Sequence, residues 1–69
     1  MSVSVNSSAI RSVDYDEDQE VLEIALTTGR TYRYFDVPRA AYDALMTARS
    51  LGGHYNAHIR DHYHYEELP

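Results

Sequence analysis

Three residue types in this chain could do chemistry, and their spacings point to different ligands. Arg30, Arg33, Arg39, Arg49 and Arg60 occupy a stretch in which Asp36 and Asp43 are the only acids. Guanidinium forks match phosphate oxygens and guanine edges, so this balance describes a polyanion-binding surface with a modest salt dependence. Tyr32 and Tyr34 flank Arg33, and aromatics alternating on a sheet can stack bases at about 1 to 3 kcal/mol each. His54, His58 and His62 recur at i, i+4 and i+8 with His64 close behind. Two imidazoles one helical turn apart can chelate Zn²⁺ or Ni²⁺, but all three align only if a helix continues to His62. No metal site is assigned. Asn56 and Arg60 are also one helical turn apart and share a face. Asp16 and Asp18 lack the glycine and distal bidentate Glu of a Ca²⁺ loop, so they read as a solvated turn.

Catalytic constellations are missing. No glycine-flanked serine elbow, paired-carboxylate spacing or phosphate-cradling glycine loop occurs, and a chain this short has little room for a concave pocket. The expectation is a non-enzymatic module without a cofactor.

These side chains depend on a small set of elements. Residues 1–7 read as a flexible N-terminal arm or a strand extension, and residues 8–69 as a single domain. Ile10, Val13 and Tyr15 mark a first strand, although Ile10 and Val13 break strict alternation. From Glu20 to Thr27, Leu22, Ile24 and Leu26 alternate with Val21, Glu23 and Ala25, which describes the central strand. Arg30 to Val37 is the third. A three-residue loop with Gly29 in the left-handed region is preferred to a two-residue turn, which would force a β-branched threonine to positive φ. That register pairs Leu26 with Arg30, Ile24 with Tyr32, Glu23 with Arg33, Leu22 with Tyr34 and Val21 with Phe35. Tyr32 and Tyr34 then face the core, and Arg33 faces away from it.

Asp36 and Pro38 look like the start of an amphipathic helix carrying Ala41, Tyr42, Leu45 and Ala48, running to about Arg49. Gly52-Gly53 is expected to stop it. A second short helix should cover His54 to about Arg60, with Tyr55 and Ile59 on one face. The tail from His62 to Pro69 is aromatic and acidic, and suits a short extended segment. The class is α+β: a three-stranded antiparallel meander, one main helix, a short second helix and an aromatic C-terminal tail. The expected core is Ile10, Val13, Leu22, Ile24, Leu26, Tyr32, Tyr34, Leu45, Tyr55 and Ile59.

The chain has 69 residues, six arginines with no lysine, eleven acids, no cysteine and a formal net charge of -5. A domain this small buries only about 60% of its unfolded surface. Without cysteine it has neither a disulfide staple nor a thiolate site. Such scaffolds often self-associate, so a homodimer is considered. Six acids fall between Asp14 and Glu23 with no base among them, so a weakly basic body carries one acidic lobe. No apolar run suits a membrane span or a signal peptide, and a cytoplasmic location is expected.

Taken together, Ser7-Ser8-Ala9-Ile10, Val13, Tyr15, the Gly29-to-Pro38 block, Tyr42, Leu45 and Tyr55-Asn56-Ala57-His58-Ile59-Arg60 resemble the KTSC domain. That family is named for the C-terminal extension of some lysyl-tRNA synthetases and also occurs as small stand-alone bacterial proteins. The resemblance spans about Ser7 to Tyr65 and implies a fold more firmly than a function. Through the synthetase fusion it implies RNA, either tRNA or a single strand, as a partner. Of the histidines, only His58 belongs to the family pattern. The expected contacts are Arg30, Arg33, Asn56, His58 and Arg60. The alternative is a protein-interaction or homo-oligomerisation module using Val21, Phe35 and the Tyr63/Tyr65 tail.

Overall fold

The computed structural model describes residues 2–5 and 7–69. Met1 and Asn6 of the expected arm lie outside the described residues. The elements are β1 (Ser2–Ser4), β2 (Ile10–Asp16), β3 (Val21–Leu26), β4 (Thr31–Tyr34), α1 (Arg39–Thr47), α2 (Leu51–His54), a π-helical turn (Tyr55–Ile59) and β5 (Tyr65–Leu68). The α+β class holds, but the sheet has five antiparallel strands in the order β1-β2-β3-β4-β5, not three. The additions are the two edges, drawn from the arm and from the tail. Both are short, and β5 carries Glu66 and Glu67, the kind of charge that blunts an edge strand.

The central hairpin follows from its turn. Gly29 adopts φ 98° and its N–H donates to the Leu26 carbonyl at 3.0 Å, which is the left-handed position of a three-residue loop. Leu22 therefore opposes Tyr34, Glu23 opposes Arg33 and Ile24 opposes Tyr32. In β2 a register shift between Ile10 and Ser12 inserts an extra residue, which brings both Ile10 and Val13 to the core despite their broken alternation.

Two helical expectations need correction. Asp36 does not cap α1: it takes φ 57° in the connection, and Pro38 is the N-cap with no side-chain bond. Gly52-Gly53 does not stop α1, which ends at Thr47 with Ala48 extended. Instead both glycines lie in the first turn of α2, because the Ser50 hydroxyl accepts the Gly53 N–H at 3.1 Å and starts a new helix there. The glycines are needed for space. A Cβ on Gly52 would stand 3.3 Å from the Ala9 Cβ, and one on Gly53 3.0 Å from Ser50 Oγ.

The core lies between one sheet face and the helices. Ile10, Val13, Leu22, Ile24, Tyr34, Leu45, Tyr55 and Ile59 are buried as expected, while Leu26 and Tyr32 are half-buried at its rim. Tyr42, expected on the apolar face of the main helix, is buried in the core, and Tyr15 and Val37 join in addition. Tyr15 stacks on Tyr42 with ring centroids 4.5 Å apart, and its hydroxyl donates to the Val37 carbonyl at 2.6 Å. The Tyr34 and Tyr55 hydroxyls bond to each other at 2.5 Å in the interior. Each buried hydroxyl thus has its partner, without which burying it would cost about 1 to 3 kcal/mol.

A double-mutant cycle tests that bond. Tyr34→Phe strands the Tyr55 hydroxyl and should cost about 1 to 3 kcal/mol, with a Tm loss of about 4–8 °C per kcal/mol, whereas adding Tyr55→Phe should cost less than the two singles summed. Calorimetry of the four proteins reads the coupling. Alkaline unfolding gives an independent check. Burial, followed by the mutual hydrogen bond, pushes Tyr34 above the usual tyrosine range, and burial pushes Tyr55 up. Unfolded tyrosines lose their protons near pH 10 while the buried ones keep theirs. The contribution is therefore fully present below about pH 10 and is lost as pH rises above it, less steeply in Tyr34→Phe.

Candidate nucleic-acid interface

The arginines differ chiefly in how far carboxylates already hold them. Arg33 stands on the sheet face away from the helices. Its Nε donates to Glu23 at 3.1 Å, and its Nη1 reaches Glu66 at 3.3 Å. Arg39 is held in the same way by Asp43 at 2.9 Å and Glu17 at 3.0 Å, with its guanidinium 5.9 Å from the Tyr42 ring centre. Arg30 faces the helix side at the start of β4 and makes a loose, exposed pair with Glu67 at 3.9 Å. Among the described residues no ion pair engages Arg11, Arg49 or Arg60.

Charge is segregated along the strands. Asp16, Glu17, Asp18 and Glu20 form the tight turn at one end, where the Asp16 carboxylate accepts the N–H groups of Asp18 and Gln19 at 3.0 and 3.1 Å. That carboxylate closes a turn, as expected of a solvated loop. Arg11, Arg30 and Arg49 gather at the opposite end. Ile10 opposes Leu26 and Leu26 N–H donates to the Arg30 carbonyl, so Arg11 and Arg30 flank the same end of β3. Thr27 N–H bonds the Ala9 carbonyl at 3.0 Å and its hydroxyl reaches Ser8 O at 3.0 Å. Gly52 brings α2 against Ala9 on the other side of this strap.

Between the strap and α2 lies a hollow of about 440 Å³ bounded by residues 7–9, residues 49–53 and Asn56. Its lining is suited to an anion. Ser7 Oγ accepts the N–H groups of Ala9 and Ile10 at 3.2 and 3.3 Å, and Ser50 Oγ accepts that of Gly53. A hydroxyl used in this way as an acceptor keeps its own O–H to donate outward. Arg49 supplies the charge, Asn56 a neutral donor and acceptor, and the glycines a backbone without Cβ cover.

Of the five anticipated contacts, this arrangement gathers Asn56 alone into the hollow, with Arg30 on the adjoining sheet end. Arg33 points from the opposite face. Arg60 follows the π-helical turn beyond the hollow, exposed to solvent. His58 packs on His54 with ring centroids 4.5 Å apart, and burial, then the neighbouring His58, holds His54 below the usual histidine range. His62 leaves this row because the helix ends and its Nε2 bonds the Ala57 carbonyl at 2.8 Å. Among the described residues no group of three His, Cys, Asp or Glu could hold a metal ion. Sequence reasoning counts Arg49 among the polyanion-binding arginines without placing it among the five expected contacts, and assigns Ser7 and Ser50 no part in the site. The Ser-x-Gly-Gly string at Ser50 was the available signal, since it reads as a cap followed by a space-limited first turn.

Removing that cap should loosen the hollow. Ser50→Ala is expected to cost about 1 kcal/mol and lower Tm by about 4–8 °C, while Ser50→Asp should retain most of the stability, as read by thermal unfolding.

A sequence model of the KTSC domain matches residues 6–63. An uncharacterised protein of Stutzerimonas stutzeri is 42% identical over 64 residues, covering 91% of this chain and 90% of its own. A lysine–tRNA ligase of Nostoc punctiforme is 33% identical over 61 residues, which is 88% of this chain but 11% of the ligase. The crystal structure of a KTSC domain protein from Yersinia pestis superposes with TM-score 0.93 at 33% identity, covering 100% of this chain and 97% of that one. No helix among the described residues is long and apolar enough to cross a membrane.

Proposed function

Since the chain belongs to the KTSC domain family, we propose that it is a small non-catalytic module that binds RNA through the arginine end of its sheet. The observation that carries this reading is the segregation of charge. Arg49 lines the serine-bearing hollow, and Arg11 and Arg30 flank the adjoining end of β3, remote from the acidic turn, so a protein of formal net charge -5 still carries its arginines together at one end. Such local fields steer polyanions even when the total charge opposes them, because beyond about 8 Å at physiological salt the distant acids are screened. The lysine–tRNA ligase relative, which carries a similar segment in a protein that acts on tRNA by its name, supports the ligand class. Phosphate oxygens would take Arg49, Arg30 and the outward serine hydroxyls, and Asn56 is placed for a base edge or a sugar hydroxyl. Arg33 is outside this surface and its two carboxylates already occupy its fork.

Fluorescence anisotropy with labelled tRNA and a labelled single strand tests the reading. Binding is expected to saturate at micromolar protein and to fall with salt at a logarithmic slope of about -2, as for three neutralised phosphates on a single strand. Arg49→Ala and Asn56→Ala should weaken it several-fold, and Arg33→Ala should leave it unchanged. No saturable binding, or loss on Arg33→Ala alone, would remove the proposal.

A further inference from the structure

Of the four histidines, two are held together on one helical face. His54 closes α2 and His58 lies in the π-helical turn that follows it, where the Arg60 N–H donates to the Tyr55 carbonyl at 2.9 Å. Four residues of α-helix advance about 40° beyond a full turn, and the wider winding of the π turn takes back most of that offset. The two imidazoles are therefore nearly in line, with ring centres 4.5 Å apart and planes inclined by 40°. His54 is half-buried and His58 is exposed. The other two histidines do not join them. His62 has its Nε2 on the Ala57 carbonyl at 2.8 Å, and the His64 ring packs on Phe35 with centroids 6.0 Å apart. Among the described residues no third His, Cys, Asp or Glu completes a group around the pair.

We propose that His54 and His58 form a two-nitrogen site for a divalent transition-metal ion, with water in its remaining positions. The ring separation carries the assignment and narrows the metal. An imidazole nitrogen stands about 2.0–2.1 Å from such an ion, which puts each ring centre about 3.2 Å from it. Two rings held in this way are about 4.5 Å apart when their bonds to the metal meet at a right angle, and about 5.2 Å apart at the tetrahedral angle. The observed 4.5 Å fits the right angle, which is the geometry of tetragonal Cu²⁺ and Ni²⁺ rather than of tetrahedral Zn²⁺. The ligating form is also the one present. Burial, then the neighbouring His58, holds His54 below the usual histidine range, so at pH 7 its imidazole is neutral and carries no competing proton. A bound ion ties α2 to the π-helical turn across Tyr55, whose side chain is in the core. The pair is separate from the arginine end, because Asn56, two residues from each histidine, projects about half a turn away from them.

Isothermal titration calorimetry of the untagged protein with Cu²⁺, Ni²⁺ and Zn²⁺, followed by thermal unfolding, tests the site. A single Cu²⁺ or Ni²⁺ per chain is expected, with Ni²⁺ held more tightly than Zn²⁺ and a Tm that rises as metal is added, since the ion binds the folded state. His54→Gln and His58→Gln should each weaken binding several-fold and remove the rise in Tm, with both variants shown folded by circular dichroism. His58 is exposed, so its substitution leaves the core untouched. His62→Gln and Arg49→Ala should bind the metal normally, which separates this site from the RNA reading. Lowering the pH to about 5 should weaken binding, because protons then compete for the imidazoles. No uptake at millimolar Ni²⁺, unchanged affinity in His58→Gln, an equal loss in His62→Gln, or tighter binding of Zn²⁺ than of Ni²⁺ overturns the proposal. So does the uptake of several ions per chain without regard to His54, which would mark adventitious surface coordination only.

Discussion

The hydrogen bond between the Tyr34 and Tyr55 hydroxyls is the constraint on which the remaining geometry rests. A chain of 69 residues with no cysteine must bury large side chains to be stable, and its seven tyrosines supply much of that volume. Burying a tyrosine on both the sheet and the helix is favourable only if each hydroxyl finds a partner, and these two find each other. Their rings meet edge to face at 5.9 Å, so the contact fixes both separation and angle between β4 and the π-helical turn. Tyr15 repeats the device at the other end by bonding the Val37 carbonyl and stacking on Tyr42 of α1. Among the described residues no buried side-chain nitrogen or oxygen lacks a partner.

That placement has consequences for both surfaces. With Tyr55 and Ile59 turned to the core, the start of α2 is carried against residues 7–9, where only glycine at position 52 fits comfortably. The hollow beside Arg49 is therefore a product of core packing rather than of a dedicated loop. The same one-sided packing leaves the second sheet face without a layer, and there the register alone arranges the carboxylates around Arg33. Exposed ion pairs of that kind contribute little to stability, typically below about 1 kcal/mol. Their effect is on where each sign of charge sits: Glu23 and Glu66 around Arg33 on the open sheet face, and Arg30 at the end of the sheet remote from the acidic turn. A single net charge of -5 conceals this polarity.

The central hairpin was legible because its information is local. Gly29 is suited to positive φ, and apolar-with-apolar and acid-with-base pairing leaves one consistent register, so the side on which Tyr32, Arg33 and Tyr34 lie could be read directly. The missed elements depend on distant partners or on competition between neighbouring signals. Gly52-Gly53 resembles a helix stop until Ser50 is weighed as a cap and Ala9 as an obstacle. Asp36 resembles a cap, but the turn places it at positive φ and moves the helix start past it. Tyr15 and Val37 enter the core through one stack on Tyr42 and one carbonyl bond that connect separate segments. Arg33 could be placed opposite Glu23 from the hairpin, whereas its second carboxylate, Glu66, arrives with a strand 33 residues further on. Of the anticipated contacts, Asn56 lines the hollow with Arg49 rather than with the Arg60 that helical spacing suggested, and Arg33, His58 and Arg60 lie outside it.

The central claim is that one end of the sheet, and not either face as a whole, is the polyanion surface. Amide-resolved NMR during addition of an unlabelled single-stranded RNA to the isotopically labelled protein tests it most directly, because it locates contact without altering a residue. The account predicts shifts concentrated at residues 7–9, 49–53, Asn56 and Arg30, with Glu23, Arg33 and Glu66 unmoved. Shifts centred on the Arg33 row, or an unchanged spectrum at saturating RNA, would contradict it.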